Sequence, residues 1–271
     1  MMKCKICNFP SSPFGEAKIL NKHLAHYFRC ENCGFIHAET PYWLEEAYSK
    51  AITKSDIGML GRNLEMMRAT KNLILMCFDP ASRFIDYGGG YGVFVRLMRD
   101  EGFDFYRHDP LCENLFAVGF EAQSDTDYEL LTAWEVFEHL VDPLAEIEKM
   151  LGYSNNIFFS TILLPQYPKP LDEWWYYGLE HGQHVSFYSR ETLQFIAQKY
   201  DLGLVYSDGT THLMGTKPIH PLKLSLTFGR YFSLFRRILL SRSPVSLLKK
   251  DFQQITGQTL NNADLPERSR K

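Results

Sequence analysis

Three groups of residues in this 271-residue chain have the types and spacing to do chemistry. The first is Cys4-x2-Cys7-x22-Cys30-x2-Cys33, four thiols in two close pairs. Two such pairs surround a tetrahedral Zn²⁺ with Zn–S near ~2.3 Å and leave no position open, so the expected metal is structural. His23, His26 and His37 lie nearby, but four sulfurs already saturate zinc. The second group is Asp86-Tyr87-Gly88-Gly89-Gly90-Tyr91-Gly92. Glycines let a backbone turn tightly and come close to a ligand. The third is a pair of histidines, His181 and His184, set among acids and aromatics between Asp172 and Tyr188. Imidazole, with an ordinary pKa near ~6.5, suits proton abstraction around neutrality. Glu180 or Glu173 is placed to orient one of the rings. As a metal pair, His181 and His184 lack the third ligand that a catalytic site wants.

These groups need elements to hold them. From Ser82 onward, strand and helix patterns alternate. Arg83–Tyr87 is a short apolar strand that runs into the glycine cluster. The helix face Val93, Phe94, Leu97, Met98 closes at Gly102. Strands follow at Phe103–Arg107, Glu129–Ala133 and Asn156–Thr161, with a helix over Pro143–Leu151 between the last two. Ser189 caps a helix carrying Leu193, Ile196, Ala197 and Tyr200. Leu204–Ser207 and Leu213–Thr216 end the series. Such alternation predicts a mostly parallel sheet covered by helices, with ligands at the carboxyl ends of its strands. The helix that follows Gly92 offers free N–H groups at that edge. The glycine spacing is not the G-x-G-x-x-G of a dinucleotide site. Asp86 closes the first strand, where a carboxylate repels pyrophosphate and attracts a cation. S-adenosylmethionine carries both a sulfonium and an ammonium. Asp109, at the end of the second strand, is placed to accept from both ribose hydroxyls.

Composition bounds the rest. With 45% hydrophobic and 23% charged residues, the chain is an ordinary globular one and not a disordered one. It has no run of 18 apolar residues, as a membrane-spanning helix requires. Its start shows no apolar signal segment, so the expected location is cytoplasmic. Cysteines clustered as Cys-x-x-Cys in that compartment read as metal ligands and not as disulfides. The net charge of −3 divides unevenly: residues 217–250 hold eight Lys/Arg and no acid, leaving −11 for the rest. The expected organisation is a zinc-binding module over 1–40, a helical linker or lid over 41–80, a cofactor-binding core over 81–217 and a basic helical extension over 218–271.

Phe84–Gly92, His108-Asp109-Pro110 and Glu135-Val136-Phe137-Glu138-His139-Leu140-Val141-Asp142-Pro143, taken in order, resemble class I S-adenosylmethionine-dependent methyltransferases. The resemblance covers about residues 64–216. It implies a Rossmann-like α/β fold with a mostly parallel seven-stranded sheet and helices on both faces. It gives Asp86, Gly88, Gly90 and Gly92 to the methionine end of the cofactor, Asp109 to the ribose, and Trp134 and Glu135 to the pocket wall. Between Phe120 and Tyr128 the sequence departs from the family pattern, and the acid for the adenine amine, Asp125 or Asp127, stays open. A zinc module ahead of such a domain is similar to the sugar methyltransferases of deoxysugar and polysaccharide biosynthesis pathways. Tyr27–Phe35 looks like their second zinc knuckle. In those enzymes a histidine precedes Val and aromatic residues, which makes His184 the first candidate base and His181 the second. Gln183 stands where they often carry Glu.

The function this implies is methyl transfer to carbon or oxygen of a sugar or nucleotide-linked sugar, with a histidine base. An RNA or protein methyltransferase docking through the ribbon, and a non-catalytic cofactor-binding protein, stand as alternatives. The aromatics around 174–188 read either as a lid or as packing, and His139 reads as structural. The basic tail has three readings: packing on the acidic body, contact with a phosphate-bearing substrate or an anionic membrane surface, and nucleic-acid binding, which the acidic body disfavours.

Overall fold

The computed structural model describes residues 2–49, 57–229 and 244–260. The chain divides into two compact units, residues 1–56 with 133–217 and residues 57–132 with 218–271.

The first unit contains an antiparallel five-stranded sheet, ordered β1 (Met2–Lys3), β2 (Pro10–Ile19), β3 (His23–Cys30), β4 (Ile36–Ala38) and β9 (Ser186–Phe187). β2 and β3 form a hairpin paired from Ser11↔Cys30 to Ile19↔His23, with a bulge between Pro13 and Gly15. The turn formers Pro10, Pro13 and Gly15 thus lie on a strand. β1 covers only Ser11 and Pro10 of it, so most of β2 is an edge, where proline costs no ladder hydrogen bond. The apolar residues of these strands do not close a core alone. Ile19, Tyr27 and Ile36 pack with Tyr177, Val185 and Phe187 from far along the chain. In the span 41–80, expected to be helical, the first helix is only the single turn α1 (Leu44–Ala47). Trp43 is pinned just before it, its indole N–H donating to the Gly182 carbonyl at 2.8 Å.

The same unit holds α4 (Pro143–Leu151), β8 (Asn156–Ser160), α5 (Arg190–Lys199), β10 (Gly203–Ser207) and β11 (Thr211–Gly215). α4 opens on proline after the cap Asp142. Ser189 caps α5 by accepting from the Thr192 N–H at 3.1 Å, as the sequence predicts. The Ser189 and Thr192 hydroxyls also donate to the Cys33 carbonyl, at 2.9 and 2.6 Å.

The second unit carries α2 (Met59–Cys77), β5 (Arg83–Tyr87), α3 (Val93–Asp100), β6 (Asp104–His108), β7 (Leu130–Ala133), α6 (Pro221–Phe228) and α7 (Leu248–Thr256). β5 runs parallel to both β6 and β7, with Asp86 opposite Arg107 on one side and Thr132 on the other.

Among the described residues the second sheet has six strands, ordered β10-β11-β8-β7-β5-β6, where the resemblance implied seven. Beyond β6, the place of a further strand holds a single parallel bridge between Arg107 and Glu121. It is made by the Arg107 N–H on the Phe120 carbonyl and the Ala122 N–H on the Arg107 carbonyl, both at 2.8 Å. The segment between β6 and β7 spends its length on turn formers (Pro110, Gly119, Ser124, Asp125) and extends no further ladder. Within this sheet β11 is a reversed strand, antiparallel to both β8 and β10. A three-residue connection forces that direction: the Asp208 carboxylate accepts from the Thr210 and Thr211 N–H groups and turns the chain back on itself.

The described parts of the carboxyl-terminal extension contain the helices α6 and α7. The contact that anchors them has the opposite sign from a basic tail on an acidic body. Asp251, the first acid after the acid-free stretch, takes a bidentate bond from Arg99 at 2.8 Å and a further one from Arg96 at 2.8 Å. The basic residues Arg230, Arg236, Arg237 and Arg242 and the apolar positions 231–240 lie outside the described residues. No helix among the described residues is long and apolar enough to cross a membrane.

Candidate active site and metal centre

The four amino-terminal cysteines come together on two knuckles built alike. Cys4 N–H donates to the Phe9 carbonyl and Asn8 N–H to the Cys4 carbonyl. In the second knuckle Cys30 N–H donates to Phe35 and Gly34 N–H to Cys30. Each Cys-x-x-Cys is followed by a residue in the left-handed region, Asn8 at φ 59° and Gly34 at φ 75°. The sulfurs of Cys4 and Cys33 are 3.6 Å apart, and those of Cys7 and Cys30 3.4 Å. All four lie within 4.8 Å of one another. These spacings are far from a disulfide and near the ~3.8 Å edge of a tetrahedral ZnS4 unit with its ~2.3 Å bonds. Of the histidines nearby in sequence, His23 and His26 pair instead with Glu46 and Glu16.

In the second unit, the glycine-rich turn joins β5 to α3 and gathers five of the predicted cofactor residues. Gly88, Gly90 and Gly92 all have positive φ, at 71°, 52° and 87°. A side chain at Gly92 would meet Asn114 and Ala117 at under 3 Å, whereas one at Gly90 would meet open space. The Gly90 N–H donates to Asp109 Oδ2 at 2.9 Å. Asp109 Oδ1 accepts from the Leu111 and Cys112 N–H groups at 2.8 and 3.0 Å. This carboxylate therefore ties the turn to the segment after β6 and keeps acceptor capacity on Oδ2. Asp86 is buried and accepts from the Thr132 hydroxyl at 2.7 Å. Burial pushes its carboxyl up to about 7, and the negative charge of Asp109 adds to the rise. Sequence reading passed over Arg107. It is buried at the end of β6, with Nε donating to the Gly90 carbonyl at 2.5 Å and its guanidinium also bonding the Cys112 carbonyl. Nothing local in Tyr106-Arg107-His108 marks an arginine as the clamp of a loop 17 residues earlier.

Trp134 and Glu135 belong to the first unit. Glu135 follows β7 in the left-handed region at φ 54°, a conformation that costs a non-glycine residue free energy. Two bonds with Ser160 hold it there: its N–H donates to Ser160 Oγ at 2.8 Å, and its carboxylate accepts from the same hydroxyl at 2.6 Å. Trp134 packs edge-on against Phe158.

The histidines of the first unit form a cluster. The rings of His181 and His184 are 4.7 Å apart, and those of His184 and His139 are 4.9 Å apart. His184 Nδ1 lies 2.6 Å from the Tyr176 carbonyl. A carbonyl only accepts, so Nδ1 carries the proton and Nε2 keeps its lone pair. His181 is the reverse: its Nδ1 accepts from the Gln183 N–H at 3.2 Å, which puts the proton on Nε2. Burial holds His184 down to about 4 and lowers His139 and His181 as well, so all three rings are neutral at pH 7. Glu180 is exposed and reaches His181 through its charge. The Gln183 side chain is buried and donates to the Ala47 carbonyl at 2.9 Å.

Two residues of this cluster were not singled out from the sequence as functional. His139, read as structural, shares its Nδ1 with the Tyr48 hydroxyl at 2.8 Å. Glu138 beside it is 0% exposed, and burial together with the Glu135 charge raises its carboxyl to about 8. The signal available was an acid–histidine pair just after a buried strand, but their meeting with His184 is a tertiary fact. The aromatics divide between the two readings given them. Tyr176, Tyr177, Phe187 and Tyr188 are core, while Trp175 is 76% exposed and Tyr167 81%.

Comparison with known proteins adds the following. The profile of a family described as "Methyltransferase domain" matches residues 61–207. Among curated proteins, no relative matches the chain. A solved O-methyltransferase family protein from Burkholderia thailandensis is similar at 11% identity and a TM-score of 0.49, covering 65% of this chain and 63% of its own. A mitomycin 7-O-methyltransferase is similar at 11% identity and a TM-score of 0.40, with 64% and 59% covered. A methyltransferase of calicheamicin biosynthesis, solved with S-adenosylhomocysteine, is similar at 15% identity and a TM-score of 0.40, with the same coverage of 64% and 59%. The chain spans less than two thirds of the length of each of these structures.

Proposed function

The chain belongs to the methyltransferase-domain family, and on that premise we propose that it transfers a methyl group from S-adenosylmethionine to a small-molecule acceptor. The observation that carries this reading is the turn after β5. It combines three glycines at positive φ with one open side at Gly90, a buried carboxylate behind it at Asp86, and Asp109 with acceptor capacity left. That set suits a cationic cofactor bearing a ribose. Trp134 and Glu135 complete the residues assigned to the cofactor by resemblance.

For the acceptor we propose a sugar or nucleotide-linked sugar, methylated at oxygen or carbon within polysaccharide or deoxysugar biosynthesis. The support is the pairing of a two-knuckle cysteine module with this family, together with Trp175 and Tyr167 as exposed faces on which an uncharged ring can stack. His184 is the group proposed to meet the acceptor, through the Nε2 that its bond to Tyr176 leaves available. The four cysteines fit zinc in donor type, spacing and knuckle geometry. Zinc there supplies a closed cross-link and no chemistry.

Methyl transfer needs donor and acceptor aligned more than it needs activation. The decisive experiment therefore starts from the donor: calorimetry with S-adenosylmethionine on the wild type and on Asp109→Ala, followed by a screen of nucleotide sugars with labelled donor. Binding by the wild type, at least 10-fold weaker in the variant, is expected. No binding by the wild type, or equal binding by the two, overturns the cofactor site. Label transferred to nucleotide-free acceptors and to no sugar overturns the substrate class.

A further inference from the structure

Glu138 poses a physical problem. It sits in a single 3-10 turn, Phe137–His139, just after β7, and it is fully buried. Among the described residues neither of its carboxylate oxygens has a hydrogen-bond partner. The hydroxyls of Thr161 and Tyr176 face Glu138 and favour its charged form, but they are already bonded to each other at 3.1 Å, and that of Tyr176 also accepts from the Ile162 N–H. A buried carboxylate without bonds costs several kcal/mol, so it normally has a partner. What lies beside it is imidazole. One donor atom each from Glu138, His139 and His184 fall within 4.8 Å of one another. In both histidines Nδ1 is taken by an outer group, the Tyr176 carbonyl at 2.6 Å and the Tyr48 hydroxyl at 2.8 Å. In His184 the carbonyl acceptor fixes the proton on Nδ1 and leaves the Nε2 lone pair for the cluster; in His139 the Tyr48 hydroxyl can accept from Nδ1–H, the tautomer in which Nε2 is able to bind an ion.

We propose that Glu138, His139 and His184 form a binding site for a divalent first-row transition-metal ion, separate from the cysteine site. Two neutral imidazoles and one carboxylate are a donor set that suits Zn²⁺, Fe²⁺ or Mn²⁺. Three protein ligands leave positions open for oxygen ligands, unlike the closed set of four thiolates. The outer bonds to Tyr176 and Tyr48 are the second layer that orients metal-binding histidines and fixes which nitrogen faces the ion. His181 is excluded by its tautomer, since its Nε2 carries the proton. The two histidine ligands are half-buried, so a small oxygen-bearing molecule can complete the coordination. In the methyl-transfer reading, on which this role rests, that molecule is the acceptor bound through a hydroxyl, and His184 serves as a ligand in place of a free base. The site itself does not depend on that reading.

The test uses the full chain with its thiolates loaded with zinc. Mn²⁺, which thiolate sites disfavour, is titrated and the free ion followed by paramagnetic resonance, with zinc content measured in parallel. The expected result is one Mn²⁺, or a second zinc, per wild-type chain. Affinity should fall at least 10-fold in Glu138→Gln and in His184→Ala and stay within two-fold in His181→Ala. Glu138→Gln keeps the shape of the side chain and removes the carboxylate that would bind the ion, and circular dichroism verifies that it folds. Absence of both ions from the wild type overturns the site, as does unchanged binding in a folded Glu138→Gln. Calorimetry with S-adenosylmethionine on the same samples separates the two readings. Metal binding without cofactor binding refutes methyl transfer and leaves this site standing, and the converse refutes this site alone.

Discussion

Replacing Asp86 by Asn should make the protein more stable and a poorer binder of its cofactor. The buried carboxyl titrates at about 7 in the folded chain against an ordinary 3.8. Raised this way, the folded state holds the proton that the unfolded state has released. Its stability contribution is therefore whole below the unfolded value and is lost as pH rises from about 4 to 7. At about 1.36 kcal/mol per pH unit, the loss across that window approaches ~4 kcal/mol. Linkage places about 2.5 kcal/mol of it between pH 5 and pH 8. Asn is uncharged at both and still accepts from the Thr132 hydroxyl through its amide oxygen. Urea unfolding of both proteins at pH 5 and 8 isolates the effect, because every other titrating group is common to them. The stability gap in favour of Asp86→Asn should widen by about 2.5 kcal/mol between those pH values. Over the same range the wild type's affinity for S-adenosylmethionine should rise as Asp86 ionises, and that of the variant should stay flat. A gap that does not change with pH, or one that narrows, would show that Asp86 is not a carboxyl held protonated by burial. A variant with full, pH-dependent affinity would remove Asp86 from the cofactor site.

Two further perturbations address the rest of the molecule. Asp251→Asn leaves Arg99, itself 2% exposed, without its bidentate partner, while Asp104 and the Phe105 carbonyl keep two of its bonds. Breaking a buried pair from one side costs ~3–5 kcal/mol, and the remaining bonds set the expectation near the low end. The denaturation midpoint measures it, and an unchanged midpoint would show that α7 is not anchored there. Metal analysis should find zinc on the four cysteines, and Cys33→Ser should lose it together with near-ultraviolet dichroism from the Tyr27–Tyr177 core. Retention of zinc by that variant would contradict four-sulfur ligation.

The parts of the fold that were legible are those whose cause is local. Ser189 announces its helix because a cap acts within one turn. Arg83–Tyr87 and the glycines after it read correctly because an apolar run and a set of backbone demands need no distant partner. β2 was not legible: Pro10, Pro13 and Gly15 are poor strand formers, and only the pairing with β3 and the edge position make them tolerable. Among the described residues the seventh strand is absent because the segment between β6 and β7 is spent on turn formers, a departure visible in the sequence whose outcome was not. At the site, the glycine turn, Asp109 and the cysteines could be named because each motif is contiguous or tightly spaced. Glu138 and His139 could not, since their chemistry begins when His184 arrives from 45 residues away. Arg107 was invisible for the same reason.

One pairing sets the order in which the first unit can be assembled. β4 takes its outer neighbour from β9, with Ile36 beside Phe187 and His37 beside Ser186, and the Cys33 carbonyl is bonded by the side chains of Ser189 and Thr192. During synthesis the ribosome delivers the cysteine knuckles about 150 residues before the strand that completes their sheet, at roughly 5–20 residues per second. For some ten seconds or more the knuckles have no finished sheet to join, and their apolar side chains have no partners. Contacts this distant in sequence are slow to form. A metal ion captured early by the thiolates would hold the two hairpin ends together through that interval, acting as a nascent-chain clamp before it becomes part of a finished fold.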